Sequence, residues 1–390
     1  MTSKQASRRE LLVGAAAAAT AAATASAAAT TKPLIPIPPG LKIAVSANQP
    51  SKPHMQYLKQ LGVEWLSLAP VQSEATAEGF IKQRKTWEDE GFHVYNIGSG
   101  VGPSGSLHNM PEVTLNLPGR DQKIEEYLNY IRYLGQAKIP YSTYAHMGNG
   151  IWSSGRVMSK RGYSARDGNS NSPDWKGVWA GKTYTGPLSH GRVYSEQEIW
   201  DNYTYFIKKV VPVAEEAGVR IGIHPDDPPM RMLAGVPRCI FSNFEGYKRA
   251  IEIANSPNIG VCFCVGSWLE APLESTGAKP EDAIRYFAAK KMLFKVHFRN
   301  VTAPLPHFTE ALIDDGYYDL SKVMQTLVDV KFDGVVIPDH IPAVGLSPEA
   351  PDHSRGQGAK GEYTPHPGLA YLIGSMNAML KAAQRNASRG

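Results

Sequence analysis

At 390 residues and 42% hydrophobic composition, the chain is long enough to bury one large core. Its formal charge of +5 is modest, and Lys4, Arg8 and Arg9 against Glu10 account for +2 of it. The remaining +3 is spread without any Lys/Arg run, which gives no ground for a nucleic-acid partner, and three cysteines do not make a disulfide framework.

In chain order, Ser7-Arg8-Arg9-Glu10-Leu11-Leu12 resembles a twin-arginine export signal. It is followed by an alanine-rich run and a cleavage-like Ala25-Ser26-Ala27. The run is too short and too poor in Leu and Ile for a membrane span, and the mature chain contains none. Residues 1–31 are therefore set aside as a signal for export to the periplasm or beyond. The proline-rich Lys32–Gly40 reads as a linker, leaving 41–386 as a single domain.

From Leu41 strand and helix patterns alternate. Lys42–Ser46, Glu64–Ala69, His93–Ile97 and Tyr141–His146 read as strands, as do Arg220–Ile223, Ile259–Gly266, Leu293–Asn300 and Gly334–His340. Met55, Leu58 and Leu61 share a helical face, as do Leu128, Ile131 and Leu134. Ser195-Glu-Gln-Glu198 is a capping box opening a helix that ends near Gly218. Asn243–Ser256, Pro280–Lys291, Leu320–Val330 and Gly368–Gln384 complete the helices. Eight strands alternating with eight helices predict a parallel (β/α)8 barrel, a TIM barrel, with an open doubly wound sheet as the other arrangement. Gly98-Ser-Gly-Val-Gly102 has neither a prompt helix start nor a Lys-Ser/Thr pair, so it reads as a flexible loop rather than a phosphate cradle. Residues 148–193 read as a long Gly/Ser-rich loop. It carries Arg156, Lys160, Arg161, Arg166, Lys176, Lys182 and Arg192, interleaved with Trp152, Trp175 and Trp179. That composition suits a lid over an anionic carbohydrate, and equally a solvated surface or a contact in a homo-oligomer. Residues 341–367, with His353, Arg355, Tyr363 and His366, are a second candidate lid.

The chemistry concentrates where strands end. Arg220-Ile-Gly-Ile-His-Pro-Asp-Asp-Pro-Pro229 is a strand stopped by proline, which leaves His224, Asp226 and Asp227 at its mouth. Cys264, His297 and Asp339 close three later apolar runs at intervals of 40, 33 and 42 residues, about one strand and one helix each. A lone His or Cys in such a run is more often core. Two imidazoles, a thiolate and a carboxylate at four successive strand ends instead suit a borderline divalent ion, Mn²⁺ first, then Fe²⁺, Co²⁺ or Zn²⁺, rather than Mg²⁺ or Ca²⁺. Cys262, two residues before Cys264, faces the same side one level deeper and reads as a small buried hydrophobe.

His224-Pro-Asp-Asp-Pro-Pro229, Cys264-Val-Gly-Ser267, His297-Phe-Arg-Asn300, Pro338-Asp-His340 and Gly368-Leu-Ala-Tyr371 resemble the mannonate dehydratase family, a branch of the xylose-isomerase-like barrels. The likeness runs from about Val219 to Tyr371 and departs after Asp339-His340, where Ile341 follows instead of glycine. It implies metal ligation by His224, Cys264, His297 and Asp339, with Asp339 and His340 beside the reacting carbons. It also implies dehydration of a small anionic sugar acid, D-mannonate to 2-keto-3-deoxy-D-gluconate. An exported isomerase, epimerase or lyase for an oxidised sugar or glycoside is the alternative. Within that chemistry Arg299 is expected to clamp the carboxylate, with Asn300 beside it, and His340 to act as general acid/base or to hydrogen-bond a loop carbonyl. Asp226 and Asp227 either bind sugar hydroxyls or cap a turn, and Glu310 and Asp319 are further candidates.

Overall fold

The computed structural model describes residues 32–47, 50–69, 71–98, 100–345 and 365–389. The signal-like segment and His353, Arg355 and Tyr363 of the second candidate lid lie outside these residues. The strands are β1 (Lys42–Ala47), β2 (Trp65–Leu68), β3 (His93–Ile97), β4 (Tyr141–Tyr144), β5 (Arg220–Ile223), β6 (Ile259–Cys264), β7 (Leu293–Phe298) and β8 (Val335–Pro338). The helices that follow them are α1 (Lys52–Gln60), α2 (Ala77–Glu88), α3 (Arg120–Gln136), α4 (Glu196–Ala217), α5 (Phe244–Ala254), α6 (Pro280–Ala289), α7 (Leu320–Asp329) and α8 (Pro367–Ala387). All eight strands are parallel, in the order β3-β2-β1-β8-β7-β6-β5-β4. The last strand returns beside the first, with Lys42 opposite Val335.

This is the (β/α)8 barrel expected from the alternation, with one seam closed differently. Between β3 and β4 no ladder pairs form among the described residues. The buried rings of Tyr95 and Tyr141 stack there at 4.9 Å, and the Tyr95 hydroxyl donates across the interior to the carbonyl of Phe294 at 2.6 Å. With Ala44, Phe294, Val335 and Ile337 these tyrosines fill the lower barrel, so the interior is packed and the cavity is left to the strand ends.

Local signals set the helix bounds. Ser195 and Glu198 form the reciprocal capping box, and α4 stops at Gly218 in the left-handed region, φ 68°. A Cβ on Gly218 would meet the Pro33 carbonyl oxygen at 2.8 Å. Asn243 caps α5 by accepting from the amide of Gly246 at 2.8 Å. No helix among the described residues is long and apolar enough to cross a membrane.

Two expectations change. The Lys32–Gly40 stretch is a strap rather than a free linker. The Ile35 amide donates to Gly218 O at 2.8 Å, Arg220 Nη1 donates to Ile35 O at 2.7 Å, and the Gly40 amide reaches Asp333 Oδ1 at 2.7 Å. Ile35 and Ile37, set between the prolines, pack on the barrel's lower end, and this apolar contact is what ties the strap down. Residues 148–193 are likewise not a structureless loop. Ile151–Ser153, Lys176–Trp179 and Lys182–Tyr184 form one antiparallel sheet. Gly155–Met158 and Ser164–Asn169 form a second with His307–Ala311 and Asn300–Val301 from the connection between β7 and α7. Within the Gly98–Gly102 stretch, Val101–Gly102 pairs with Gly105–Ser106 as a short hairpin.

Candidate metal and active site

The site is built in layers by strand alternation. On β6 and β7, Cys264 lies opposite His297 and, one level down, Cys262 lies opposite Lys295. A register shift between Val261 and Cys262 brings these pairs into line. β5 ends at Ile223, and Pro225 prevents its continuation, so His224 stands at the mouth with its amide tied to Tyr144 O at 2.7 Å. The ligating atoms of His224, Cys264 and His297 all lie within 4.8 Å of one another. Asp339 Oδ2 joins them, 3.6 Å from Cys264 Sγ and 3.6 Å from His297 Nδ1.

These residues fit a divalent ion. Ligands at about 2.1–2.3 Å in a tetrahedron sit roughly 3.4–3.8 Å apart, the spacing Asp339 shows. His224 Nδ1 is spent on the carbonyl of Pro225 at 2.7 Å, leaving Nε2 to ligate. His297 Nδ1 is buried with no hydrogen-bond partner among the described residues. Burial alone would raise the Cys264 thiol, but the Arg299 charge and the neighbouring His224 and His297 rings pull it well below its usual range. Burial opposes charge on both histidines too. Even so, Cys264 lifts His224, and Cys262 with Asp339 lifts His297, so the cluster favours added positive charge. Cys262 is more than filler: its Sγ faces His297 Nε2 at 3.5 Å.

Beneath and beside this cluster runs a buried ion network centred on two arginines. Arg299 Nη1 donates to Glu270 Oε1 at 2.7 Å, Nη2 to Ser267 Oγ at 3.0 Å and Asp227 Oδ2 at 3.4 Å, and Nε to Asp339 Oδ2 at 3.2 Å. Arg166, from the folded insertion, donates to Asp227 Oδ1 and, at 2.9 Å, to Glu310 Oε1. Ser267 donates its hydroxyl to Cys264 Sγ at 3.2 Å and its amide to the same sulfur at 3.4 Å. Gly266 is what lets Arg299 through, because a Cβ there would lie 2.3 Å from Arg299 Cγ. Burial and the neighbouring Asp227 charge push Glu270 up to about 8, against the pull of both arginines.

His340 leaves the barrel just past β8 with φ 46°, a left-handed conformation uncommon for a residue other than glycine. That turn aims its Nδ1 at Glu310 Oε1, 2.6 Å away, and places Nε2 3.8 Å from Asp339 Oδ1. The ring is partly open to solvent, and the Asp339 and Glu310 carboxylates outweigh what desolvation it suffers and lift His340 to about 9. The two carboxylates thus favour the protonated ring, which Glu310 holds in place.

A cleft of about 270 Å³ opens above the cluster. His224, His297, Asp339, His340 and Asp227 line it, and Cys264 is buried just behind. Three residues expected at the substrate are placed elsewhere. Arg299 is 2% exposed and committed to protein carboxylates, so it does not line the cleft. Asn300 donates to the carbonyls of Ile313 and Tyr318 at 3.2 and 2.8 Å and pins the following loop. Asp226 is buried outside the cleft, where burial takes it to about 7 against the pull of Arg238. Glu310 joins the site, whereas Asp319 caps α7 through the Ser321 amide at 3.0 Å. His366 caps α8. Of the insertion's charges Arg166 is the one that reaches the network. Arg161 and Arg192 pair on the surface with Asp314 and Glu198. Trp179 and Ile151 form the insertion's wall of the cleft.

Sequence reading does not single out Arg166, Glu270, His108 or Lys295. Lys295 had a usable signal, since the two-residue step that puts Cys262 beneath Cys264 puts Lys295 beneath His297. His108, against Trp179 at 5.4 Å, lines the cleft from a loop with no motif.

Comparison with known proteins gives the family. The family model for D-mannonate dehydratase matches residues 186–386. The mannonate dehydratase of Streptococcus pneumoniae is 31% identical over 344 residues, covering 82% of this chain and 87% of its own. That of Streptococcus equi subsp. zooepidemicus is 29% identical over 82% and 88%. The crystal structure of mannonate dehydratase from Streptococcus suis superposes with a TM-score of 0.71 at 26% identity, covering 90% of this chain and 95% of that one. A xylose isomerase domain protein from Planctomyces limnophilus, with a TM-score of 0.52 and 12% identity over 90% and 99% of the two chains, shares the fold. The chain therefore belongs to the mannonate dehydratase family of hydro-lyases.

Proposed function

We propose that the protein dehydrates D-mannonate to 2-keto-3-deoxy-D-gluconate with the aid of a divalent metal ion held by His224, Cys264, His297 and Asp339. The observation that carries this reading is the union, in one cleft, of that donor set with His340, whose ring is braced by Glu310. A divalent ion there would act as a Lewis acid toward the substrate's carboxylate and 2-hydroxyl, making the proton on C2 more acidic. The chain's own groups move the protons. Asp339 Oδ2 faces the ligand cluster and Oδ1 faces His340, so the carboxylate is placed to accept the C2 proton. The electrons of the C2–H bond become the C2–C3 double bond as the C3–O bond breaks. His340 gives its proton to the departing hydroxyl, which leaves as water, and the resulting enol tautomerises to the 2-keto acid. Arg299 and Ser267 hold Cys264 as a thiolate and keep Asp339 oriented.

The test is to supply the purified, metal-loaded protein with a panel of aldonates, uronates and oxidised glycosides and to identify products. Formation of a 2-keto-3-deoxy acid from D-mannonate is expected; turnover confined to an isomerised or epimerised product overturns the reading. Elemental analysis accompanies it. About one divalent transition ion per chain is expected, lost in Cys264→Ala because three donors with one neutral vacancy bind far more weakly than four. Equal metal in wild type and Cys264→Ala removes Cys264 from the site.

A further inference from the structure

With Arg299 and Arg166 committed to protein carboxylates, a side-chain cation to share the substrate's carboxylate with the metal ion must come from elsewhere. Lys295 supplies it. The side chain rises from β7 inside the barrel, one level below His297, and lines the cleft with His224, His297 and Asp339. It is 4% exposed, so its ammonium has been taken out of water at a cost that a paired anion would offset. Among the described residues its Nζ has neither a hydrogen bond nor an ion pair. Its Nζ lies over the ring of Tyr141, 5.8 Å from the centroid. The other basic groups facing the cleft are histidines: His224 and His297 assigned to ligation, His340 to proton transfer, and His108 packed against the Trp179 ring. A buried lysine with no hydrogen bond or ion pair among the described residues, lining a cavity beside the candidate ligand cluster, is a place for an anion.

The hydroxyls of Ser46 and Ser67 extend this reading. They sit opposite one another on β1 and β2, line the same cleft, and carry no hydrogen bond among the described residues. We infer that Lys295 binds the carboxylate of the sugar acid, with Ser46 and Ser67 as uncommitted donors on the adjoining wall. This assignment rests on the sugar-acid reading above and makes Lys295 the residue that distinguishes an acid from the corresponding alcohol. The same need was assigned from sequence to Arg299, whose ion pairs leave it no free donor for a ligand.

Lys295→Met keeps the unbranched stem, one atom shorter, and removes its charge, and it relieves a desolvated ammonium, so the fold is expected to persist. Binding is measured by calorimetry on metal-loaded protein in a His340→Gln background, which slows turnover, using D-mannonate and the uncharged D-mannitol as probes. Losing one partner of a buried charge pair predicts mannonate binding weaker by roughly 10²–10³-fold, with mannitol binding and metal content unchanged. In otherwise wild-type protein the same change should appear in KM, with kcat within a few-fold. Unaltered mannonate affinity overturns the assignment, as does an equal loss for mannitol, a loss of metal, or a fall in kcat at constant affinity. Failure of the functional reading looks different. Wild type would then not dehydrate mannonate, while Lys295→Met would still weaken the binding of aldonates relative to their alditols.

Discussion

His340→Gln is expected to lower kcat by roughly 10²–10⁴-fold, the usual contribution of a positioned acid or base, while metal content and KM stay near wild type. Glutamine preserves a hydrogen-bonding group toward Glu310 but has no proton to give to a departing hydroxyl. Because His340 lies next to Asp339, loss of activity alone would not separate proton transfer from ligation. Asp339→Asn is the comparison, expected to damage metal affinity and activity together, since its Oδ2 faces both Cys264 and His297. Elemental analysis and steady-state kinetics on both variants distinguish the roles. A His340→Gln protein with near-normal kcat removes His340 from proton transfer. Glu310→Gln adds a second reading. If Glu310 orients and charges His340, its removal should lower kcat by less than removal of His340 does, and the double variant should be no worse than His340→Gln alone.

The barrel and the donor set were legible because both follow from short-range rules. Period-two runs ended by proline or by polar residues mark His224, Cys264, His297 and Asp339 directly, and the barrel's topology converges them without further information. What was not legible is partnership at long range. The insertion reads as loop because Gly and Ser dominate it, yet Ser164–Asn169 becomes a strand by pairing with His307–Ala311, some 140 residues away. That pairing brings Arg166 against Glu310. Arg299 illustrates the same limit. Its position beyond His297 suggests a hand reaching for substrate, but Glu270 and Asp227, from two other elements, claim its donors first. Lys295 is the converse case, a residue hidden in an apolar strand whose lack of partners emerges only once its neighbours are placed.

Arg299→Met is therefore expected to act on stability before it acts on substrate. Arg299 is the shared counter-ion of Glu270, Asp227, Glu310 and Asp339, all buried or nearly so. Methionine fills much of the space and leaves these carboxylates to Arg166 and His340. Breaking a buried pair by removing one partner typically costs about 3–5 kcal/mol, because the remaining charge stays out of water. The cost here falls on Asp227, Glu310 and Asp339, and less on Glu270, whose carboxyl burial and Asp227 push upward toward its neutral form. Urea unfolding should show the midpoint falling with little change in slope. Metal affinity should fall as well, since Cys264 loses the cation that holds it as a thiolate. A direct carboxylate clamp makes the opposite forecast, a raised KM in a protein of normal stability and normal metal content. Measuring unfolding, metal and KM on the one variant decides between them. Unchanged unfolding with a 10²-fold or greater rise in KM returns Arg299 to the substrate and removes the need for Lys295.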